Sequence, residues 1–284
     1  MTALSAQAAA FFDAESAIIR VELTAVRGSS PREAGTEMFV APTVLWGTIG
    51  GGRLEQIAIE RGRAMLDGNK LAETLDVPLG PEIGQCCGGH VSLRLTRMHT
   101  QDRREALQRI RAEENDQPHV YIMGAGHVGR ALANVLQHAP VKCILVDMRQ
   151  EELQKCEAVV EKRLRALPEV DVFNAPPNSA FIVLTHDHGL DFLLTSAALE
   201  LGTAAYVGMI GSDTKRAKLR SWCWTHCNGL TIDLLTCPIG ATASRDKRPE
   251  IIASFVAAEV LTALTADQQV SVSREEAALL EAAQ

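Results

Sequence analysis

The chain has 284 residues, of which 46% are apolar and 22% charged, and its formal net charge is −7. This composition fits a globular protein with room for two cores, and the negative charge offers no general attraction to nucleic acid or to an anionic membrane. No apolar run approaches the roughly 20 residues of a membrane helix, and "MTALSAQAAA" lacks the basic start and apolar centre of a signal peptide, so a cytoplasmic protein is expected.

"FFDAESAIIR" (11–20) reads as an amphipathic helix. The short apolar runs "IIRVELTAV", "EMFVAP", "VLWGTIGG" and "HVSLRLT" are separated by glycine turns and predict strands of a mixed or antiparallel sheet. One long helix interrupts them, from about Arg53 to Asp67. Residues 1–100 therefore form an N-terminal mixed α/β domain. A charged stretch ending at Pro118 reads as a linker over 101–117.

From residue 118 to 284 the rhythm changes. "HVYIMG", "VKCILVD", "AFIVLT" and "AAYVGMIG" predict buried strands. "HVGRALANVLQHA", "QEELQKCEAVVEKRLRAL", "GLDFLLTSAALELG" and "SDTKRAKLRSWCWTHC" predict the helices between them. This alternation indicates an α/β fold with a Rossmann-like parallel sheet. A helix opens at Pro249, and "REEAALLEAAQ" reads as a further short helix or a frayed end.

Two glycine loops could hold phosphate. In "GAGHVG", Gly124, Gly126 and Gly129 stand between a predicted strand and a predicted helix. The first allows a tight turn, the second lets a ligand approach the backbone, and the third packs helix on sheet. Asp147 ends the next strand, where a ribose-binding carboxylate would stand, and Arg149 follows it. A Rossmann turn without a nucleotide is the competing interpretation. In "TIGGGRLEQ", Gly50, Gly51 and Gly52 precede Arg53 and could form an anion nest that the arginine closes. "VRGSSPREAG" adds Arg27, Ser29, Ser30 and Arg32, which on their own would make a solvated turn.

The seven cysteines are an odd number in a chain that is not small, which argues against a disulfide framework. Cys143 reads as a core residue. Cys86 and Cys87 follow Gly84 and Gln85 on a bare glycine loop. Thiolates there could meet a soft metal, carry a persulfide sulfur or attack an electrophile; small buried residues in a turn remain the plain alternative. "THDHGLD" sets His186, Asp187, His188 and Asp191 beyond a strand and faintly echoes metallo-hydrolase motifs, but Phe192 stands where a further histidine would be needed. A polar wall or a helix cap suits it better. Cys223 and Cys227 have metal-ligand spacing without a second pair, so packing is favoured there.

In order along the chain, "GSSPREAG", "GTIGGGRLE", "GQCCGG", "GAGHVG", "THDH", "YVGMIGS" and "CPIG" resemble the xanthine dehydrogenase accessory protein family, XdhC/CoxI. The resemblance spans most of the chain and is most specific at "GTIGGGRLE" and "GQCCGG". It departs after "CPIG", where Ala241 replaces an expected leucine; Pro249 and Glu250 keep the helix start. The resemblance implies a chaperone, not an enzyme, that binds molybdenum cofactor. It would protect the cofactor during sulfuration by a cysteine desulfurase and deliver it to xanthine dehydrogenase. It also implies an N-terminal domain followed by a Rossmann-like one. On that basis the expected cofactor-binding residues are Gly50, Gly51, Gly52, Arg53, Gln85, Cys86, Cys87, Gly124, Gly126 and Gly129, with Cys86 or Cys87 facing the molybdenum. An NAD(P)-dependent oxidoreductase using "GAGHVG" is the alternative, and a homodimer is compatible with the sequence.

Overall fold

A computed structural model describes residues 3–68, 70–80, 88–240, 244 and 246–281; for residue 3 and residues 267–281 it describes the backbone alone. The chain divides into two units, Met1–Glu113 and Glu114–Gln284.

The first unit runs α1 (Ala3–Ala14), β1 (Ile19–Arg27), β2 (Glu37–Val40), β3 (Leu45–Gly47), α2 (Gly52–Asp67), β4 (Ala72–Pro78), β5 (His90–Arg97) and α3 (Thr100–Asn115). Its strands pair antiparallel throughout, in the order β3-β2-β1-β5-β4. Period-two alternation explains the layering. Val21 stands opposite Leu95 and Leu23 opposite Leu93, and this face buries Leu54, Ala58 and Met65 of α2. Each valine, leucine or methionine among them contributes about 1.5–3 kcal/mol when fully buried.

A second core joins Phe39, Ile18 and Met98 to Ala8 and Phe12 of α1 and to Ala106 and Ile110 of α3. The Phe12 and Phe39 rings meet edge to face, 5.0 Å apart. Arg103 of α3 donates to the carbonyls of Phe12 (3.0 Å), Glu15 (2.6 Å) and Ser16 (2.8 Å), holding the end of α1. The stretch 101–117 is thus mostly the helix α3, with residues in a core, rather than a free connection. The first helix also lies earlier than expected: it ends at Ala14, because Ile18 and Ile19 are each drawn into a core.

The second unit runs β6 (His119–Met123), α4 (His127–Leu136), β7 (Lys142–Asp147), α5 (Gln150–Gln154), β8 (Glu161–Leu164), α6 (Glu169–Phe173), β9 (Ala180–Val183), α7 (His188–Glu200), β10 (Tyr206–Met209), α8 (Asp213–His226), β11 (Leu235–Thr236) and α9 (Pro249–Glu281). All six strands are parallel, ordered β11-β10-β9-β6-β7-β8. The chain moves outward from β6 to β8, then restarts on the other side at β9. This is the Rossmann strand order, with its switch point between β6 and β9.

The strands β6, β7, β9 and β10 are buried on both faces, as the interior of a parallel sheet requires. One face packs Val120 and Ile122 against Leu132 and Leu136 of α4 and Val256 and Val260 of α9. The other packs Tyr121 and Met123 against Leu194 of α7 and Leu219 of α8. The helix expected over 150–167 stops at Gln154; Glu161–Leu164 instead pairs with β7 as an edge strand. Arg163 and Arg165 hold Asp171 there, at 2.5 and 2.8 Å. Sheet pairing outweighs the helical propensity of that charged run. At the other end, the expected break before "REEAALLEAAQ" is absent, and α9 is continuous. Its Pro249–Ala266 part is long and apolar enough to cross a bilayer, yet Ala253, Val256, Ala257, Val260 and Leu264 lie in the core beside α4.

Candidate functional site

At one end of the N-terminal sheet, glycine loops approach too closely for side chains. A Cβ on Gly89 would fall on the Ser29 carbonyl, and Ser29 forms a parallel bridge with Gly88. A Cβ on Gly50 would lie 2.7 Å from Cγ of Pro31. The loops around residues 28–35, 48–53 and 88–89 therefore converge. Arg27, Arg32 and Arg53 are exposed there. Among the described residues Arg27 and Arg32 have no acidic partner, and Arg53 reaches Glu60 only at 3.5 Å. Gln85, Cys86 and Cys87, which precede Gly88, lie outside the described residues.

Gly50, Gly51 and Gly52 all have positive φ, 118°, 75° and 66°, as a nest of backbone amides requires. That nest already holds an anion of its own chain. Glu55 Oε2 accepts from the Ile49 and Gly51 amides, each at 3.1 Å, and from the Thr48 hydroxyl at 2.5 Å. Sequence reasoning missed this carboxylate. Its signal was an acid in the first turn of α2, able to reach back as the glutamate of a capping box does.

In the second unit, the three glycines of "GAGHVG" divide their work. Gly124 has φ 128°, and a Cβ there would lie 2.6 Å from the Leu184 carbonyl. A Cβ on Gly129 would strike the Gly124 carbonyl. Gly126 caps α4 with an ordinary φ of −65°, and nothing lies within 4 Å of its missing Cβ. Two glycines thus serve packing, and the third leaves open space over the helix N-terminus.

Asp147 ends β7, 6% exposed. Its Oδ2 accepts from the Ala125 amide (2.6 Å) and Arg149 Nη2 (3.0 Å). Its Oδ1 accepts from the Arg149 amide (2.9 Å) and Nε (3.0 Å). Burial alone would raise its pKa; the hydrogen bonds from Arg149 and from the Ala125 amide outweigh burial and hold the carboxyl below its ordinary range. Four bonds take up both oxygens, so this carboxylate clamps the glycine turn and leaves no lone pair for a ribose hydroxyl.

"THDHGLD" is built as a cap and an anchor. Asp187 Oδ1 accepts from the amides of Gly189 (2.7 Å) and Leu190 (3.0 Å), opening α7. The Leu190 amide, then that of Gly189, lowers its pKa. Asp191 is 1% exposed and pairs with Lys215 Nζ; its Oδ1 accepts from the Thr185 amide (2.9 Å) and hydroxyl (2.7 Å). Asp191 is fully taken up and Asp187 by one oxygen, and among the described residues no three His, Cys, Asp or Glu side chains are grouped to hold a metal ion. Lys215, also missed from sequence, had a signal: a cation in a helix's first turn opposes the macrodipole.

Burial pushes the Cys143 thiol up to about 12 and that of Cys223 up to about 11, and also raises that of Cys237. These are packing residues, not nucleophiles.

The profile of the XdhC Rossmann domain matches residues 120–260, and that of the XdhC and CoxI family matches residues 12–77. A solved structure described as a xanthine dehydrogenase from Bacillus halodurans superposes with a TM-score of 0.77. It covers 94% of this chain and 96% of its own, at 16% identity, a likeness of fold. No curated protein sequence is significantly similar to the chain. Two matching domains in the family's order, on the fold just described, show that this chain belongs to the XdhC and CoxI family.

Proposed function

We propose that this chain is a cytoplasmic accessory protein of xanthine dehydrogenase that binds molybdenum cofactor. It protects the cofactor while a cysteine desulfurase supplies sulfur, then passes it to the dehydrogenase. The protein carries the cofactor and catalyses no reaction of its own. Family membership supports the accessory role. The observation that carries the cofactor reading is the convergence of glycine loops beside Arg27, Arg32 and Arg53; in sequence, Cys86 and Cys87 directly precede Gly88 of that convergence.

The residues fit such a cargo. Missing side chains admit a bulky ring system to the backbone, guanidinium groups suit a terminal phosphate, and thiols suit a soft metal. Because Glu55 takes the Ile49 and Gly51 amides and Thr48 takes that of Gly50, the arginines are the first partners for a phosphate.

The test mixes full-length protein with molybdenum cofactor, then measures co-elution on gel filtration and transfer to apo xanthine dehydrogenase. Wild type retains and transfers cofactor. Cys86→Ala with Cys87→Ala loses retention, and Arg53→Ala weakens it. A wild type that retains nothing removes the carrier reading; a double cysteine variant that behaves as wild type removes the thiol role.

A further inference from the structure

Two crevices meet at Thr185 and His186, beyond the end of β9, and they are unlike. At the switch point itself, the crevice between Gly124, Asp147, Met148, Pro168 and Leu190 has a volume of about 10 Å³, room for about one water. On the β10 side, an open cleft of about 320 Å³ is lined by His186, His188, Ser212 and Lys215, with the ion-paired Asp191 also in its wall. That volume stands at the small end of ligand sites.

Lys215 is costly where it stands. Its side chain is 11% exposed, and burying an ammonium in a helix's first turn works against desolvation and the dipole together. The chain also omits a side chain to seat it: a Cβ on Gly211 would lie 2.8 Å from Lys215 Cδ. An apolar residue would fill the same space at less cost. Asp191 and the Ile210 carbonyl (2.9 Å) take two of the ammonium's three N–H donors, which leaves one for the cleft it lines.

The other polar groups around the cleft are arranged the same way. Asp191 has both oxygens bonded, and Asp187, outside the lining, has its Oδ1 held by the α7 amides. The Ser212 hydroxyl accepts from the Lys215 amide at 3.4 Å, so its proton is available to donate. His186 and His188 stand exposed at the rim. The cleft therefore presents donors.

We propose that Lys215, Ser212, His186 and His188 form a binding site in the Rossmann unit for a small oxyanion-bearing molecule, a phosphomonoester or a carboxylate smaller than a dinucleotide. The site consists wholly of this unit's residues and does not rest on the cofactor reading of the N-terminal loops.

The test is calorimetric titration of the full chain with inorganic phosphate, ribose 5-phosphate, succinate and NAD⁺. Saturable binding by the phosphates or by succinate is expected, and which of them binds identifies the class. His186→Ala with His188→Ala weakens that binding by about tenfold without changing the unfolding midpoint. Lys215→Met with Asp191→Asn removes the charge pair, keeps an acceptor for Thr185, and abolishes binding in a protein that circular dichroism shows to be folded. The proposal is overturned if none of the small anions binds wild type, or if the folded Lys215→Met/Asp191→Asn variant binds as wild type. It is equally overturned if NAD⁺ binds and competes with them. Loss of anion binding in Arg53→Ala alone would assign the anion to the N-terminal loops and overturn it as well.

Discussion

The two glycine loops, Thr48–Arg53 and Gly124–Gly129, look alike in sequence, and each closes on a carboxylate from its own chain. They differ in how firmly. Asp147 is buried, has four hydrogen bonds, and is clamped by Arg149. Glu55 is half-buried, uses a single oxygen, and among the described residues has no arginine on it. A glycine run therefore signals converging amides, not a ligand. What decides the matter is whether an internal anion already holds those amides, and how hard it would be to displace.

The largest expected effect breaks the second loop outright. Gly129→Ala drives a methyl into the Gly124 carbonyl, a backbone atom that cannot swing away. A loss of about 3 kcal/mol is expected in urea denaturation. A loss under about 0.5 kcal/mol would mean that α4 shifts freely on its turn.

Next comes the clamp. Asp147→Ala leaves the Ala125 amide and Arg149 without their acceptor, at a cost of about 2–3 kcal/mol. The pH dependence has a definite sign. The folded carboxyl titrates below the unfolded value of about 3.9, so its contribution is full above that value and is lost as pH falls through the folded pKa. Stability of wild type and Asp147→Asn measured from pH 6 down to pH 2 should converge at the acid end. Parallel curves would contradict the clamp.

The first loop should respond less, and differently. Glu55→Ala opens the nest for about 1 kcal/mol. Added phosphate should then raise the variant's melting temperature more than wild type's, because it can take the vacated amides. An equal response in both proteins would show that the nest has no use for an external anion.

The smallest effect is on Gly126. Alanine fits its φ and its surroundings but is a poorer N-cap than glycine, so Gly126→Ala should change stability by less than about 1 kcal/mol. A strong loss would place an unrecognised neighbour over that position.

The sequence showed the architecture where burial is strong. Val21, Leu23, Leu93 and Leu95 alternate because one face of their sheet is a core. β6, β7 and β9 are short continuous apolar runs because both faces are covered. Legibility failed at edges. In β4 only Val77 is buried, so no apolar pattern marked "AETLDVP" as a strand. In β8 the residues are Glu161, Lys162, Arg163 and Leu164, good helix formers held in a strand by β7 alone. The candidate sites were legible as motifs but not as networks. "GAGHVG" announced its turn, whereas the partners of Glu55, Asp147 and Asp191 depend on how distant segments pack.

The return of α9 to α4 has a consequence for biosynthesis. Leu132, Ala133 and Leu136 emerge from the ribosome well before the residues that cover them, Ala253 to Leu264. At ordinary elongation rates the apolar face of α4 waits on the order of ten seconds for its cover. The N-terminal unit has by then been synthesised in full. A nascent chain stalled before residue 253 would therefore carry one completed unit and one with an uncovered apolar flank, a form suited to capture by a holdase.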